Sequence, residues 1–271
     1  MKLFAPDFNL EATLGSGQVF GFVQREGGVY EGTLNNFPLR LRQNGDLLYV
    51  EAEAQKGLAH SIRHYFDLNR DLSPVYGLLR QDERLAETLK RFKGLRLIRQ
   101  DAWEAFACFI ISSNNNIKRI QGIWHNLVKH FSNGELTFPR PEKLALSDES
   151  VLRKLGLGYR APFLLAAAQF AFRHPLDLQF LRKAPYPEAK AKLMELPGIG
   201  TKVADCILLY GFQKYEAFPV DVWVLRVMRK LYFRNRLVPE RKVMEFGRKR
   251  WGLLAGYIQQ YLFHGARSGV L

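Results

Sequence analysis

The residues best placed to do chemistry are Lys202 and Asp221. Lys202 stands in Leu196-Pro-Gly-Ile-Gly-Thr-Lys-Val-Ala-Asp-Cys206, where one helix stops near Glu195, five residues turn, and a second helix begins at Thr201. A cation in the first turn of a helix is disfavoured by the macrodipole. An amine that is also partly buried gives up its proton more readily and becomes a nucleophile. Asp221 opens the apolar-periodic run Val222, Leu225, Val227, Met228 and Leu231, after Pro219 has barred a preceding helix from continuing. Its carboxylate can cap the new helix. Beside Lys202 it could also stabilise positive charge developing on a sugar. A solvated lysine and a plain helix cap are the alternatives on these residues alone.

Two helices and a turn must hold Lys202, and a third helix must bring Asp221 to it. Gly198 and Gly200 permit positive φ, so the turn can be tight and face its backbone N–H groups outward. Those amides, with the helix dipole behind them, suit one phosphate and would position the protein on DNA without reading sequence. Helical spacing recurs in Trp103 to Ser113, Ile117 to Phe131, Ser150 to Leu155, Ala161 to Phe172, Pro187 to Leu196, Thr201 to Phe212, Val222 to Phe233 and Val243 to Gly265. Asp101 and Ser147 fit N-terminal caps, and Gly156 and Gly211 fit helix ends. The first third alternates like a sheet instead: Val19 to Val23, Val29 to Leu34, Pro38 to Arg42 and Leu47 to Ala52, broken at Gly27-Gly28, Asn35-Asn36 and Asn44-Gly45-Asp46. Leu58 to Tyr65 and Val75 to Phe92 follow as helices, the second started by Pro74. The reading is an α+β fold. A small N-terminal antiparallel β-sheet domain with flanking helices (1–95) precedes a larger all-helical region (96–271) that holds the helix–hairpin–helix segment 187–212 and Asp221.

With 271 residues, 47% hydrophobic and 13% aromatic, the chain is too apolar to be disordered. Its net charge is +14, and the excess lies wholly beyond residue 90, because the first 90 residues carry 10 basic and 12 acidic side chains. A polyanion partner follows, and nucleic acid is the commonest. The longest apolar run, Ala161 to Phe172, is broken by Gln169 and too short to span a membrane. Asp7 interrupts the N-terminus before a signal peptide's apolar stretch can form. Cys108 and Cys206 lie far apart without a CxxC, which excludes a zinc ribbon, a four-cysteine iron–sulfur site and a disulfide scaffold. A soluble cytoplasmic protein, bacterial or archaeal rather than nuclear, with no membrane partner, is the expectation.

Five short motifs stand in register across residues 14 to 267: Ser16-Gly-Gln18, Ser112-Ser-Asn-Asn-Asn-Ile117, Leu155-Gly-Leu-Gly-Tyr-Arg-Ala161, Gly200-Thr-Lys-Val-Ala-Asp-Cys206 and Val220-Asp-Val222. Together they resemble the 8-oxoguanine DNA glycosylase family of the helix–hairpin–helix superfamily. The resemblance implies a bifunctional glycosylase and abasic-site lyase, acting as a monomer on duplex DNA with 8-oxoguanine opposite cytosine. Lys202 would attack the sugar C1′ and form a Schiff base, Asp221 would stabilise the sugar cation, and β-elimination would nick the strand. Cys206 and Phe263 would be the two faces of the base slot, with Pro219 beside them. Gln259, four residues before Phe263 on one helix face, would read the Watson–Crick edge. The Gly17 carbonyl would accept from N7–H, which 8-oxoguanine has and guanine lacks. That contact discriminates by on the order of a few kcal/mol, since guanine would set two buried acceptors face to face.

Three consecutive asparagines suit a polar turn better than a helix interior. By resemblance Asn114 fills the hole left by the extruded base, Tyr159 wedges the stack, and Arg119 and Arg160 recognise the unpaired cytosine. Backbone amides of Gly198, Gly200 and Lys202 would hold a phosphate. No cofactor is implied for the chemistry, and a cation at the carbonyls of Met194, Leu196 and Ile199 could anchor that phosphate. The chain departs from the pattern at Trp223, where members carry a phosphate-contacting histidine, at Gly21, where they carry arginine, and in the short stretch from Phe233 to Val243. The run Arg226 to Arg250, with 10 basic residues against Glu240 and Glu245, could compensate. A glycosylase for another oxidised purine and a non-catalytic helix–hairpin–helix DNA-binding protein are the alternatives.

Overall fold

A computed structural model describes residues 1–34, 37–132 and 136–271. Five strands, β1 (Lys2–Phe4), β2 (Val23–Gln24), β3 (Tyr30–Leu34), β4 (Phe37–Asn44) and β5 (Leu47–Glu51), form one antiparallel sheet in the order β1-β5-β4-β3-β2. Alternation sets the register: Leu39, Leu41, Leu48 and Val50 point inward and are buried, whereas Arg40 and Glu51 pair on the solvent face. The buried face packs on α1 (Leu10–Gly15) and α2 (Leu58–Tyr65) through Leu10, Leu14, Leu58 and Ile62. Gly45, at φ +55°, makes the two-residue turn between β4 and β5. The Asn35-Asn36 break expected between β3 and β4 lies outside the described residues.

The strand expected at Val19 to Val23 does not form; only Val23–Gln24 pairs. Its side chains do not alternate in and out, because Val19 and Phe22 enter the core under the sheet while Phe20 enters the core of the helices. This irregular segment therefore joins the two cores. Strand β1 was not expected from sequence, since three residues with one inward side chain, Leu3, carry no readable period.

The helical part comprises α3 (Ser73–Arg80), α4 (Ala86–Phe92), α5 (Ala102–Ile111), α6 (Ile117–Phe131), α7 (Pro141–Ala145), α8 (Glu149–Leu152), α9 (Ala161–Arg173), α10 (Pro175–Lys183), α11 (Tyr186–Met194), α12 (Thr201–Phe212), α13 (Val222–Tyr232), α14 (Glu240–Trp251) and α15 (Ala255–Arg267). The single helix expected over Val75 to Phe92 is broken at Asp82, whose carboxylate caps a 3-10 turn and pairs with Arg250 and Tyr232. Likewise Val243 to Gly265 is two helices, divided where Gly252 adopts φ +54°. Helices α7 and α10 were not expected, and Ser147 is not a cap, since α8 starts after Asp148. Gly156 does end its helix, at φ +103°. Gly211 does not: α12 runs on to Phe212, Gln213 takes the left-handed position, and a Cβ on Gly211 would sit 3.2 Å from the Ala102 carbonyl. The glycine serves close packing of α12 on α5.

Helix α5 is the centre of the molecule, buried from Ala105 to Ile111 and capped by Asp101. It runs antiparallel to α12, with Gly211 at Ala102 and Lys202 reaching Ser112 at the other end. Among the described residues no helix is long and apolar enough to cross a membrane.

Candidate active site

The hairpin between α11 and α12 presents Lys202. Gly198 takes φ +79°, and a Cβ there would lie 2.3 Å from the Phe163 ring, so only glycine fits. Gly200 differs from expectation: its φ of −87° is open to any residue, and nothing lies within 4 Å of its Cβ position. Its value is open space where another backbone can approach. The two hairpin helices are tied by the fully buried Asp205, which accepts from Tyr186 Oη at 2.6 Å and pairs with Lys190 at 2.7 Å.

Lys202 is half-buried in the first turn of α12, and its Nζ donates to Ser112 Oγ at 3.5 Å. One turn on, Cys206 is buried, and that burial pushes its thiol up to about 11, with the Lys202 charge opposing. Asp221 is the N-cap of α13, its Oδ1 accepting from the amides of Trp223 (3.0 Å) and Val224 (2.8 Å). Burial raises its pKa, while those amides and the Lys202 ammonium lower it. Lysine and aspartate thus lie within each other's field, and the cap leaves Oδ2 free of the helix amides.

Helix α15 contributes a row at four-residue spacing, Gln259, Phe263 and Arg267, whose last member feels the Asp221 charge. Gln259 is buried, its Oε1 lying 3.4 Å from Tyr210 Oη. Gly17, at φ +77°, lies against this row: a Cβ on it would be 2.7 Å from Ile117 Cδ1, 2.9 Å from Arg267 and 3.4 Å from Phe263. Its loop is nailed down from three directions. Gln260 Nε2 donates to the Ser16 carbonyl at 3.1 Å, Tyr210 Oη donates to Gln260, and the fully buried Gln18 bonds to Ser16 Oγ, the Arg96 carbonyl and the Ile98 amide. Pro219 is buried in the chain leading to Asp221. Tyr210, Gln260 and Arg267 were missed in the sequence. Arg267 alone had a legible signal, the continuation of the Gln259–Phe263 spacing.

The three asparagines do three jobs. Asn116 caps α6, accepting from the Arg119 amide at 3.0 Å, and Asn115 donates back to the Ile111 carbonyl. Asn114 sits exposed at φ +47°, and its side chain makes no hydrogen bond among the described residues. The turn is held by Arg160, only 2% exposed, which donates to the carbonyls of Ser113 (2.7 Å), Asn114 (2.7 Å) and Leu157 (3.4 Å). Tyr159 is 48% exposed beneath that guanidinium, and Arg119 is exposed on the first turn of α6. Trp223 is also exposed, with the Arg226 guanidinium 5.5 Å from its ring centre. Among the described residues no three His, Cys, Asp or Glu side chains gather as a metal site.

A sheet-flanked helical domain whose hairpin offers a lysine to an aspartate on the following helix is the architecture of a helix–hairpin–helix DNA glycosylase. Residues 2–106 match the family model described as the 8-oxoguanine DNA glycosylase N-terminal domain, and residues 107–252 match the HhH-GPD superfamily of base excision DNA repair proteins. A probable N-glycosylase/DNA lyase of Methanothermobacter thermautotrophicus is 34% identical, over 100% of this chain and 97% of its own. The N-glycosylase/DNA lyase OGG1 of Arabidopsis thaliana is 29% identical, over 97% and 78%. The structure of Clostridium acetobutylicum 8-oxoguanine glycosylase/lyase, bound to double-stranded DNA with cytosine opposite 8-oxoG, superposes with a TM-score of 0.92 at 31% identity, over 98% and 94%. The chain belongs to the 8-oxoguanine DNA glycosylase family of the HhH-GPD superfamily, and is a base-excision repair N-glycosylase and DNA lyase.

Proposed function

We propose that this protein, acting as a monomer in the cytoplasm, excises 8-oxoguanine paired with cytosine from duplex DNA and nicks the strand through Lys202. Its unprotonated amine attacks C1′ as the N9–C1′ bond breaks, and the electron pair leaves with the base. The Asp221 carboxylate stabilises the sugar cation that develops between these events. Loss of the nitrogen's proton and opening of the sugar yield an iminium, and removal of a C2′ proton expels the 3′ phosphate. Water then releases the lysine. Lysine, aspartate and water suffice, so no cofactor is required.

The observation that carries this reading is the half-buried Lys202 at the head of α12, its Nζ 3.5 Å from Ser112 Oγ and its ammonium near enough to Asp221 and Cys206 to lower the pKa of both against their burial. Gln259 is the reader of the base edge, Pro219 part of the slot wall, and the Gly17 carbonyl the acceptor for N7–H. On the duplex side Asn114 is the residue that enters the stack and Tyr159 the wedge. Arg160 keeps donors to spare after its three carbonyl bonds, so it can share cytosine recognition with Arg119. The hairpin amides of Gly198, Gly200 and Lys202 take a phosphate. Among the described residues the Leu196 carbonyl accepts only the Ile199 amide, at 3.3 Å, so with those of Met194 and Ile199 it retains lone pairs that fit a cation supplying positive charge beside that phosphate.

Duplexes carrying 8-oxoguanine opposite C, A, G or T, incubated with and without borohydride, test the reading. A trapped adduct strongest opposite cytosine and lost in Lys202→Gln, with duplex binding retained, is the expected result. Equal cleavage opposite all four bases would sink the arginine assignment. Binding without cleavage or adduct on any duplex would make the protein a DNA-binding module.

A further inference from the structure

Arg267 closes the row on α15 that begins with Gln259 and Phe263, and it is the only cation in that row. Its guanidinium centre is 5.5 Å from the Phe263 ring centre, and one nitrogen lies 2.9 Å from the Cβ position of Gly17. Nothing neutralises it: among the described residues it makes no hydrogen bond and no ion pair. Arg267 is exposed, yet partial desolvation lowers the basicity of its guanidinium, and Asp221 is near enough to oppose that shift. An exposed guanidinium without a partner keeps its donors open to a ligand. Here it lies against Gly17, the residue whose carbonyl is proposed to face N7 of the extruded base.

We propose that Arg267 donates to the C8 carbonyl oxygen of the extruded 8-oxopurine and stabilises the negative charge on the departing base. The inference rests on the substrate reading above. In an 8-oxopurine that oxygen adjoins N7–H, so a cation beside the Gly17 carbonyl meets the same edge. When the N9–C1′ bond breaks, its electron pair passes to N9 and spreads through C8 onto the oxygen. A guanidinium there strengthens its hydrogen bonds as the charge grows, and so acts on the rate. Guanine has only C8–H at this point and gains nothing from it. Arg267 would thus add to the Gly17 contact in separating lesion from normal base.

The test separates base loss from strand cleavage. Single-turnover excision of 8-oxoguanine opposite cytosine is measured for Arg267→Leu and Arg267→Lys, beside β-elimination on a preformed abasic site, which has no base to stabilise. Excision by Arg267→Leu should fall by about 100-fold, with Arg267→Lys recovering part of the loss. Abasic-site cleavage and Tm should remain at the wild-type level for both variants. Equal losses on the two substrates would make Arg267 a structural residue and overturn the inference, as would undiminished excision. Wild-type protein that cuts abasic DNA but leaves 8-oxoguanine in place would overturn the substrate reading, and this inference with it.

Discussion

Asp221 caps α13 and is proposed to stabilise the sugar cation, and a single substitution separates the two. In Asp221→Asn the amide oxygen can still accept from the Trp223 and Val224 amides, so α13 keeps its cap while the charge beside Lys202 is lost. Single-turnover excision should drop by about 100-fold. Stability should move the other way. The Asp221 carboxyl binds its proton more tightly folded than unfolded, because burial raises its pKa. The stability it contributes is therefore full below the unfolded carboxylate range and lost as pH rises through the folded value. At neutral pH the wild type bears that cost and the amide does not. Thermal melts should give Asp221→Asn the higher Tm at pH 8, with the gap narrowing towards pH 4; a lower Tm throughout would refute the account. Cys206, pushed up to about 11 by burial, stays a neutral thiol at physiological pH, suited to lie flat against a base rather than to attack it.

At the scale of elements, the hairpin's two glycines should respond differently to the same change. Gly198→Ala forces a left-handed conformation on a side chain that also meets the Phe163 ring, so it should cost upwards of about 1–2 kcal/mol in chemical denaturation, and DNA affinity with it. Gly200→Ala has ordinary φ and open space, so Tm should hold while duplex binding weakens. Unchanged binding by Gly200→Ala would mean that no phosphate approaches there. Helices α6 and α12 were legible from end to end, because Asn116 caps one and Gly200 begins the other. The false continuity across Asp82 and Gly252 had a different origin. Apolar period alone does not register an aspartate drawn into a distant ion pair, or a glycine whose φ turns positive.

The whole molecule is tuned to a polyanion by the asymmetry of its charge. Log affinity for undamaged duplex should fall linearly with log salt, and Arg226→Ala should reduce that slope by about 1 if the guanidinium over Trp223 replaces the missing phosphate contact. An unchanged slope would leave Arg226 as packing for the tryptophan ring. Much of this protein was determined by sequence alone: the basic helical portion, the hairpin with its lysine, the capping aspartate and the order of the motifs. Each is written in neighbouring residues, as a period, a cap or a turn that short-range sterics and hydrogen bonding dictate. The proposed slot depends on tertiary contacts that no local pattern announces. Gly17 meets Arg267 across 250 residues, Tyr210 and Gln260 fix a loop from the other end of the chain, and Arg160 turns inward to brace Asn114. Such contacts follow from how the sheet core and the helical core pack through residues 19–22, and no local pattern encodes which buried polar groups will find one another there.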